Sequence, residues 1–147
     1  YEVLSNELSK IGSELILRSL KLICRKADKY FPQDEQYATY AKKIKKNESK
    51  INWNTKAKNL IANINALNPN PGCWFYLKGS RIKIIKAVEV EANSDPGIIL
   101  DNKFTISCSE NAVQILELKK EGKKIIKASE FLKGNNLKIG LKLDNHV

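Results

Sequence analysis

The chain has 147 residues, of which 42% are hydrophobic and 29% are charged, and its formal net charge is +10. These proportions indicate a globular domain that is large enough to hold its own core. No apolar run approaches the roughly 20 residues of a bilayer-spanning helix, and the N-terminal residues mix charged with apolar side chains. We therefore exclude a membrane partner and expect a cytoplasmic protein.

Residues 1–27 have the apolar periodicity of an amphipathic helix. The apolar side chains recur at spacings of three and four residues, at Leu4, Leu8, Ile11, Leu15, Ile16 and Ile23. Such spacing aligns them in one stripe along the helix. Little of the chain that follows offers an obvious partner for this stripe. The polar residues that follow, which include Pro32, are typical of a linker.

The segment TYAKKIKKNESKINW, residues 39–53, holds four lysines in five positions, at Lys42, Lys43, Lys45 and Lys46. In a helix these lysines would share one broad arc and Ile44 would point to the opposite side. An extended chain would instead divide them between two faces. On the residues alone, the segment fits either a solvated linker or a surface that holds a polyanion.

The next segment, INWNTKAKNLIANINALNP, is the clearest helix in the sequence. Its apolar residues follow helical spacing, and Asn54 or Thr55 is expected to cap its N-terminus through a side-chain oxygen. Pro69 and Pro71 are expected to end it. Trp53 is expected on its apolar side.

Beyond Pro71 the apolar period changes to two, which predicts strands. The predicted strands are Cys73–Lys78, Arg81–Val90, Gly97–Leu100, Phe104–Ser107 and Val113–Leu118, followed by a short helix over Ala128–Leu132. Lys86 breaks the alternation of the second strand, and a bend or a bulge would explain it. The fold class is therefore α+β, with five short antiparallel strands in a small barrel or sandwich.

The usual arrangements of catalytic and metal-binding residues are missing from the sequence. The three cysteines, Cys24, Cys73 and Cys108, lack close spacing and are interpreted as small apolar residues in a reducing compartment. The single histidine, His146, is next to the end of the chain, where residues commonly fray. We therefore predict no catalytic residue and no metal site in this chain.

Three basic groups remain as candidate binding residues. They are the segment from Lys42 to Lys50, the strand with Arg81, Lys83 and Lys86, and the sequence KKEGKK at 119–124, expected in a loop after the fifth strand. Lysines act on phosphates as point charges, and a strong positive balance favours an acidic partner such as nucleic acid. Each group alone also fits a solvated surface.

Several motifs together resemble the C-terminal part of methionyl-tRNA formyltransferases over roughly residues 36–134. In chain order they are TYAKKI, INW, NPNPGCW at 68–74, IKI at 82–84, PG at 96–97 and EGKKIIKASEFLKG at 121–134. In addition, LSKIGSELI at 8–16 resembles the last helix of the catalytic domain in that family.

The resemblance implies three parts: 1–28 as the terminal helix of a catalytic domain absent from the chain, 29–50 as a basic linker, and 51–147 as a five-stranded OB-type barrel preceded by a helix. It implies that the parent enzyme uses 10-formyltetrahydrofolate, which this chain does not bind. We expect the chain alone to be inactive and monomeric.

The partners implied by the resemblance are initiator methionyl-tRNA and the enzyme's own N-terminal catalytic domain. In the lysine segment, Ile44 and Trp53 are expected to anchor the inner side while the lysines face tRNA phosphates. The expected tRNA-binding residues are Lys42, Lys43, Lys45, Lys46, Lys50, Arg81, Lys83, Lys119, Lys120, Lys123 and Lys124.

Three other functions are also compatible with the sequence. The first is a stand-alone OB-fold module for single-stranded nucleic acid, which would need exposed aromatic residues, whereas we expect Trp74 and Phe104 in the core. The second is the C-terminal domain of another formyltetrahydrofolate-dependent formyltransferase. The third is a protein-interaction module that uses the apolar stripe of residues 4–23.

Overall fold

A computed structural model describes residues 2–143, which divide into two compact units between Ile44 and Lys45. The first unit contains helix α1, Glu2–Cys24, and a 3-10 turn at Glu35–Tyr37. The predicted N-terminal helix is confirmed. No residue of α1 is buried, and its apolar side chains are exposed.

The second unit holds the rest of the secondary structure and the hydrophobic core. Its elements are a 3-10 turn at Lys46–Ser49, α2 (Ala57–Leu67), β1 (Trp74–Leu77), β2 (Ser80–Val90), β3 (Thr105–Ser107), β4 (Ala112–Lys120), β5 (Ile125–Lys127) and α3 (Ala128–Gly134). The predicted α+β class is confirmed, as is the last helix. His146 lies outside the described residues.

The five strands form one antiparallel sheet in the order β1-β2-β4-β3. Strand β5 also pairs with β4, with Lys127 opposite Glu117 and Ile125 opposite Lys119. This part of β4 lies beyond the part that pairs with β3. Within residues 2–143 no strand pairing joins β3 to β1, so the sheet is open there. The antiparallel arrangement is as predicted, but the closure of a barrel is not found.

One predicted strand is wrong. Residues 97–100 form only isolated bridges, in which Ile98 pairs with Lys142 and Ile99 with Ile106. The fifth strand is instead Ile125–Lys127, whose side chains are largely exposed. Ile99 lies in the core, so the apolar character of Ile98–Leu100 reflects burial and not continuous strand pairing.

The break in alternation at Lys86 is a β-bulge, as predicted. The register between β2 and β4 shifts on both sides of Lys86. Before the bulge the buried residues are Ile82 and Ile84, and after it the buried residue is Ala87. Ile84 pairs with Leu118 and Ala87 with Ile115, so each strand has one residue more between these pairs than strict alternation allows, and the buried positions of β2 change parity after Lys86.

Helix α2 begins later than the sequence indicated. Its N-cap residue is Lys56, which makes no side-chain capping bond, so neither Asn54 nor Thr55 is the cap. The Asn52 side chain instead accepts a hydrogen bond from the Asn54 backbone at 3.0 Å, an Asx-type turn that competes with helix formation. The helix ends before Pro69, as predicted.

Aromatic rings lie at the centre of the core. Trp53 is fully buried, as predicted, and meets Phe75 edge-on with 5.4 Å between ring centroids. Phe104 packs against Phe75 and stacks on Phe131 of α3 at 5.8 Å. These contacts join the sheet to both the segment before α2 and the last helix. None of the helices in the described range is long and apolar enough to cross a membrane.

Candidate nucleic-acid interface

The solvent-facing side of β1, β2 and β4 carries both aromatic and cationic residues. The strand register pairs Trp74 with Lys83, Tyr76 with Arg81, and Lys83 with Lys119. Directly paired residues share a face of a sheet, so these five side chains lie on one surface. We call this surface, Trp74, Tyr76, Arg81, Lys83 and Lys119, the basic-aromatic face.

Trp74 is half-buried, so its expected place in the core is not what the structure shows. The Arg81 guanidinium carbon lies 4.2 Å from the centroid of its ring, which is a close cation–π contact. The indole N–H donates to the Ser49 hydroxyl at 3.0 Å, and the Tyr76 ring meets it edge-on at 5.3 Å. The tryptophan is thus held by neighbours on several sides.

Lys50 also belongs to this neighbourhood. Its backbone forms an isolated bridge with Trp74, and its ammonium lies 6.0 Å from the indole centroid. The adjacent residue Ile51 donates its backbone N–H to the Trp74 carbonyl at 2.8 Å. The chain before α2 therefore runs beside β1 and places a further cation next to the basic-aromatic face.

A depression of about 290 Å³ lies beside Arg81 and Lys83. Its lining comprises Pro71, Arg81, Lys83, Lys119, Glu121 and Gly122. Burial lowers the pKa of Lys83 from its ordinary value, and the positive charges of Arg81 and Lys119 lower it further. The depression is therefore a region of positive potential that favours an anion.

Gly72 allows Lys83 to take its position beside the depression. A Cβ atom on Gly72 would lie 2.7 Å from the Lys83 Cδ, closer than two such atoms can pack. The φ of Gly72 is +75°, a conformation that glycine adopts without strain. The Lys83 ammonium also donates to the Pro69 carbonyl at 3.4 Å, which ties the side chain to the segment before β1.

The basic group at 119–124 is not a single loop. Lys119 and Lys120 are the last residues of β4, and Lys123 and Lys124 lie in the turn before β5. Lys119 pairs with Lys83, whereas Lys120 pairs with Ile82 and alternates to the other side of the strand. The structure therefore brings only Lys119 of this group onto the basic-aromatic face.

The lysines at 42–46 do not form a helical arc. Lys42, Lys43 and Lys45 lie in non-helical chain and are exposed, and the 3-10 turn begins only at Lys46, whose side chain is not described. Ile44 is 50% exposed, so the expectation that it anchors the segment is wrong.

Residues 43–136 match the family described as "Formyl transferase, C-terminal domain". The chain belongs to this family. The match includes every residue of the basic-aromatic face and confirms the resemblance drawn from the motifs.

Curated relatives of this formyl transferase C-terminal domain are named methionyl-tRNA formyltransferase. The protein from Bradyrhizobium diazoefficiens is 37% identical over 143 residues, covering 95% of this chain and 46% of the relative. The protein from Pelagibacter ubique is 35% identical over 145 residues, covering 98% of this chain and 47% of the relative. The chain thus spans about half the length of these relatives.

Solved structures of HypX from Aquifex aeolicus share the fold. One variant structure aligns with a TM-score of 0.65 at 23% identity, over 82% of this chain and 23% of HypX. The structure of HypX in complex with tetrahydrofolic acid aligns with a TM-score of 0.63 at 21% identity, over 81% of this chain and 22% of HypX.

Sequence reasoning missed two features of this formyl transferase C-terminal domain. The first is the part played by Trp74 and Tyr76, which strict alternation with the buried Phe75 and Leu77 could have indicated. The second is another depression, of about 420 Å³, beside β4 and α3. Its charged lining residues are Lys86, Lys103, Glu117 and Lys127. The irregular position of Lys86 was the signal in the sequence.

The cysteines of the domain are unsuited to nucleophilic chemistry. Burial raises the pKa of both Cys73 and Cys108 to about 11, so they are uncharged thiols at neutral pH. Their interpretation as small core residues is confirmed, but Cys24 is exposed. Within residues 2–143, no group of three histidine, cysteine or carboxylate side chains is placed to hold a metal ion.

Proposed function

We propose that this chain is the tRNA-binding C-terminal part of a methionyl-tRNA formyltransferase. The parent enzyme would transfer the formyl group of 10-formyltetrahydrofolate to the amino group of methionine on initiator tRNA. The names of the curated relatives support this assignment. The observation that carries the role of this chain is the basic-aromatic face, on which three cations converge without a paired carboxylate among the described residues.

In this proposal, each part of the chain corresponds to a part of the parent enzyme. Residues 1–28 would be the terminal helix of the catalytic domain, 29–50 a basic linker, and 51–147 an OB-type domain. This would explain the exposed apolar side chains of α1, which would pack against the catalytic domain. The proposal includes a monomeric protein in the cytoplasm.

The contribution of such a domain to catalysis would be affinity and orientation. Neutralising phosphates with lysine and arginine gives sequence-independent binding that weakens with salt. Holding the aminoacyl end of tRNA near the folate can lower the barrier by roughly 7 to 11 kcal/mol, although no group of this chain reacts. We expect the isolated chain to show no turnover with folate and aminoacyl-tRNA.

The basic-aromatic face does not favour a stand-alone binder of single strands. Phe75 and Phe104 are buried, and the Trp74 ring is already in contact with Arg81. Base stacking would require these rings to be free. A titration that compares single-stranded RNA with folded tRNA separates the two functions, and we expect preference for the folded tRNA.

The lysine segment offers the first test of tRNA binding. A variant with alanine at Lys42, Lys43, Lys45 and Lys46 should bind tRNA more weakly. The slope of log affinity against log salt should fall by up to about 3 to 4, because each phosphate contact contributes roughly 0.7 to 0.9.

The control removes four exposed lysines outside the proposed contacts: Lys21, Lys58, Lys133 and Lys138. It carries the same net charge as the first variant. Equal slopes for the two variants would mean that the segment is only a solvated linker.

A further inference from the structure

Three cations of the basic-aromatic face converge on one depression. Arg81 and Lys83 are two residues apart on β2, and Lys119 is directly opposite Lys83 on β4. Among the described residues, none of the three takes part in an ion pair with a carboxylate. Glu121 also lines the depression, so three positive charges face one negative charge there.

This convergence is unfavourable in the absence of a ligand. Like charges that are directly opposite on paired strands repel each other. Partial burial lowers the pKa of Lys83, and the repulsion from Arg81 and Lys119 lowers it further. Gly72 and the Pro69 carbonyl nevertheless hold the Lys83 side chain beside Arg81. An anion in the depression would convert the repulsion into three attractive contacts.

We propose that Arg81, Lys83 and Lys119 bind a single phosphate group in this depression, and that Trp74 positions Arg81 for it. A phosphate presents several oxygens at once, and the planar guanidinium fork can bind two of them in parallel. The two ammonium groups act as point charges on the remaining oxygens. The depression, at about 290 Å³, has room for a phosphate with attached groups.

Trp74 acts through Arg81 rather than on the phosphate. Its ring lies 4.2 Å from the guanidinium carbon and contacts the apolar side of the group. A guanidinium held over a ring keeps the N–H donors at its edge available. The ring is itself fixed by the bond from its indole N–H to Ser49. Trp74 is therefore a positioning residue.

The identity of the molecule that carries the bound phosphate rests on the proposed function. If the chain binds tRNA, the ligand is a phosphodiester of the tRNA backbone, whereas free phosphate would use the same contacts. Two separate measurements distinguish these sources. Inorganic phosphate tests the site alone, and tRNA tests its use.

The first measurement titrates the ¹⁵N-labelled chain with inorganic phosphate at constant ionic strength maintained with chloride. We expect shifts concentrated at the amides of Gly72, Gly122 and Lys83 and at the Trp74 indole N–H. Lys83→Ala should weaken phosphate binding about tenfold, since a charge-assisted contact is lost. Lys58→Ala is the matched control and should bind phosphate as tightly as the unsubstituted chain does. Uniform shifts, or an unaltered Lys83→Ala variant, would overturn the site.

The second measurement records the salt dependence of tRNA affinity. Lys83→Ala should reduce the slope by about 1 if a tRNA phosphate occupies the site. An unchanged slope in a chain that still binds tRNA would overturn the tRNA source and leave the proposed function intact. Absence of tRNA binding by the parent chain would overturn the proposed function, while the phosphate titration would still support the site.

The positioning role is tested by two variants of Trp74. Trp74→Phe retains a ring beneath Arg81 and should retain most phosphate affinity. Trp74→Leu should lose about as much affinity as Arg81→Ala. The Arg81 Nε–H resonance should also lose its ring-current shift in Trp74→Leu. If Trp74→Leu lowers stability but leaves phosphate affinity and that resonance unchanged, the tryptophan is only structural.

Discussion

The contact between Trp74 and Arg81 should be measurable as a coupling free energy. The guanidinium carbon is 4.2 Å from the ring centroid, well inside the roughly 6 Å range of cation–π attraction. Exposed pairs contribute about 0.5 to 1 kcal/mol and desolvated pairs about 2 kcal/mol. Since Trp74 is half-buried, we expect a coupling of about 1 kcal/mol.

A double-mutant cycle with Trp74→Leu, Arg81→Ala and the combined variant isolates this term. The assay is urea unfolding followed by far-ultraviolet circular dichroism, which reports the backbone of all four proteins whether or not they retain Trp74. The free energies of unfolding then give the coupling directly. The Leu substitution keeps an apolar side chain, so that loss of burial is not counted as loss of the cation–π contact.

The result that would refute this reasoning is additivity. Independent sites add to within about 0.3 to 0.5 kcal/mol, so a coupling inside that range means no specific contact. A second cycle with Lys50→Ala provides a comparison, because the Lys50 ammonium is 6.0 Å from the same ring. Its coupling should be smaller than that of Arg81. Equal couplings would indicate a general charge effect instead of a stacked guanidinium.

Three further predictions concern the second unit and the cysteines. Lys83→Gln should raise the free energy of unfolding, measured in urea at neutral pH, by about 0.2 to 1 kcal/mol, because it removes a repelling charge. This gain should shrink as the pH rises through the lowered pKa of Lys83, because the neutral amine of the unsubstituted chain no longer repels its neighbours. Phe104→Ala should destabilise the fold by about 3 to 5 kcal/mol, and a loss below about 2 would contradict its central place in the core. Iodoacetamide at pH 7.5 should alkylate Cys24 in the native chain, with Cys73 and Cys108 modified only after unfolding, as peptide mass spectrometry would report.

Local patterns in the sequence were sufficient for much of the fold. Apolar spacing gave α1 and most of α2, and alternation gave four of the strands and the irregularity at Lys86. These features depend on residues that are near each other in sequence. Strand β5 was missed because its pairing partner, not its own composition, makes Ile125–Lys127 a strand. The run at Ile98–Leu100 has the composition of a strand, but it lacks a continuous pairing partner and forms only isolated bridges.

The candidate site was predicted only in outline. Arg81 and Lys83 are adjacent outward positions of one strand, so their shared face follows from alternation. Lys119 joins them through the register between β2 and β4, which no single segment encodes. The same limit applies to Trp74, because its contact with Arg81 depends on how β1 turns back onto β2.

The bulge at Lys86 determines which residues of β2 face the core on each side of it. Residues of odd number face outward before the bulge, and Lys86 and Val88 of even number are exposed after it. Deleting one residue between Ile84 and Ala87 would remove little mass and no more than one charge. Ile84 and Ala87 would then be two residues apart and would both face inward without a bulge in β2. However, β4 would keep two residues between Leu118 and Ile115, so the register of one half of the pair would slip by one residue. The length of this strand is therefore constrained in single-residue steps, independently of which side chains it carries.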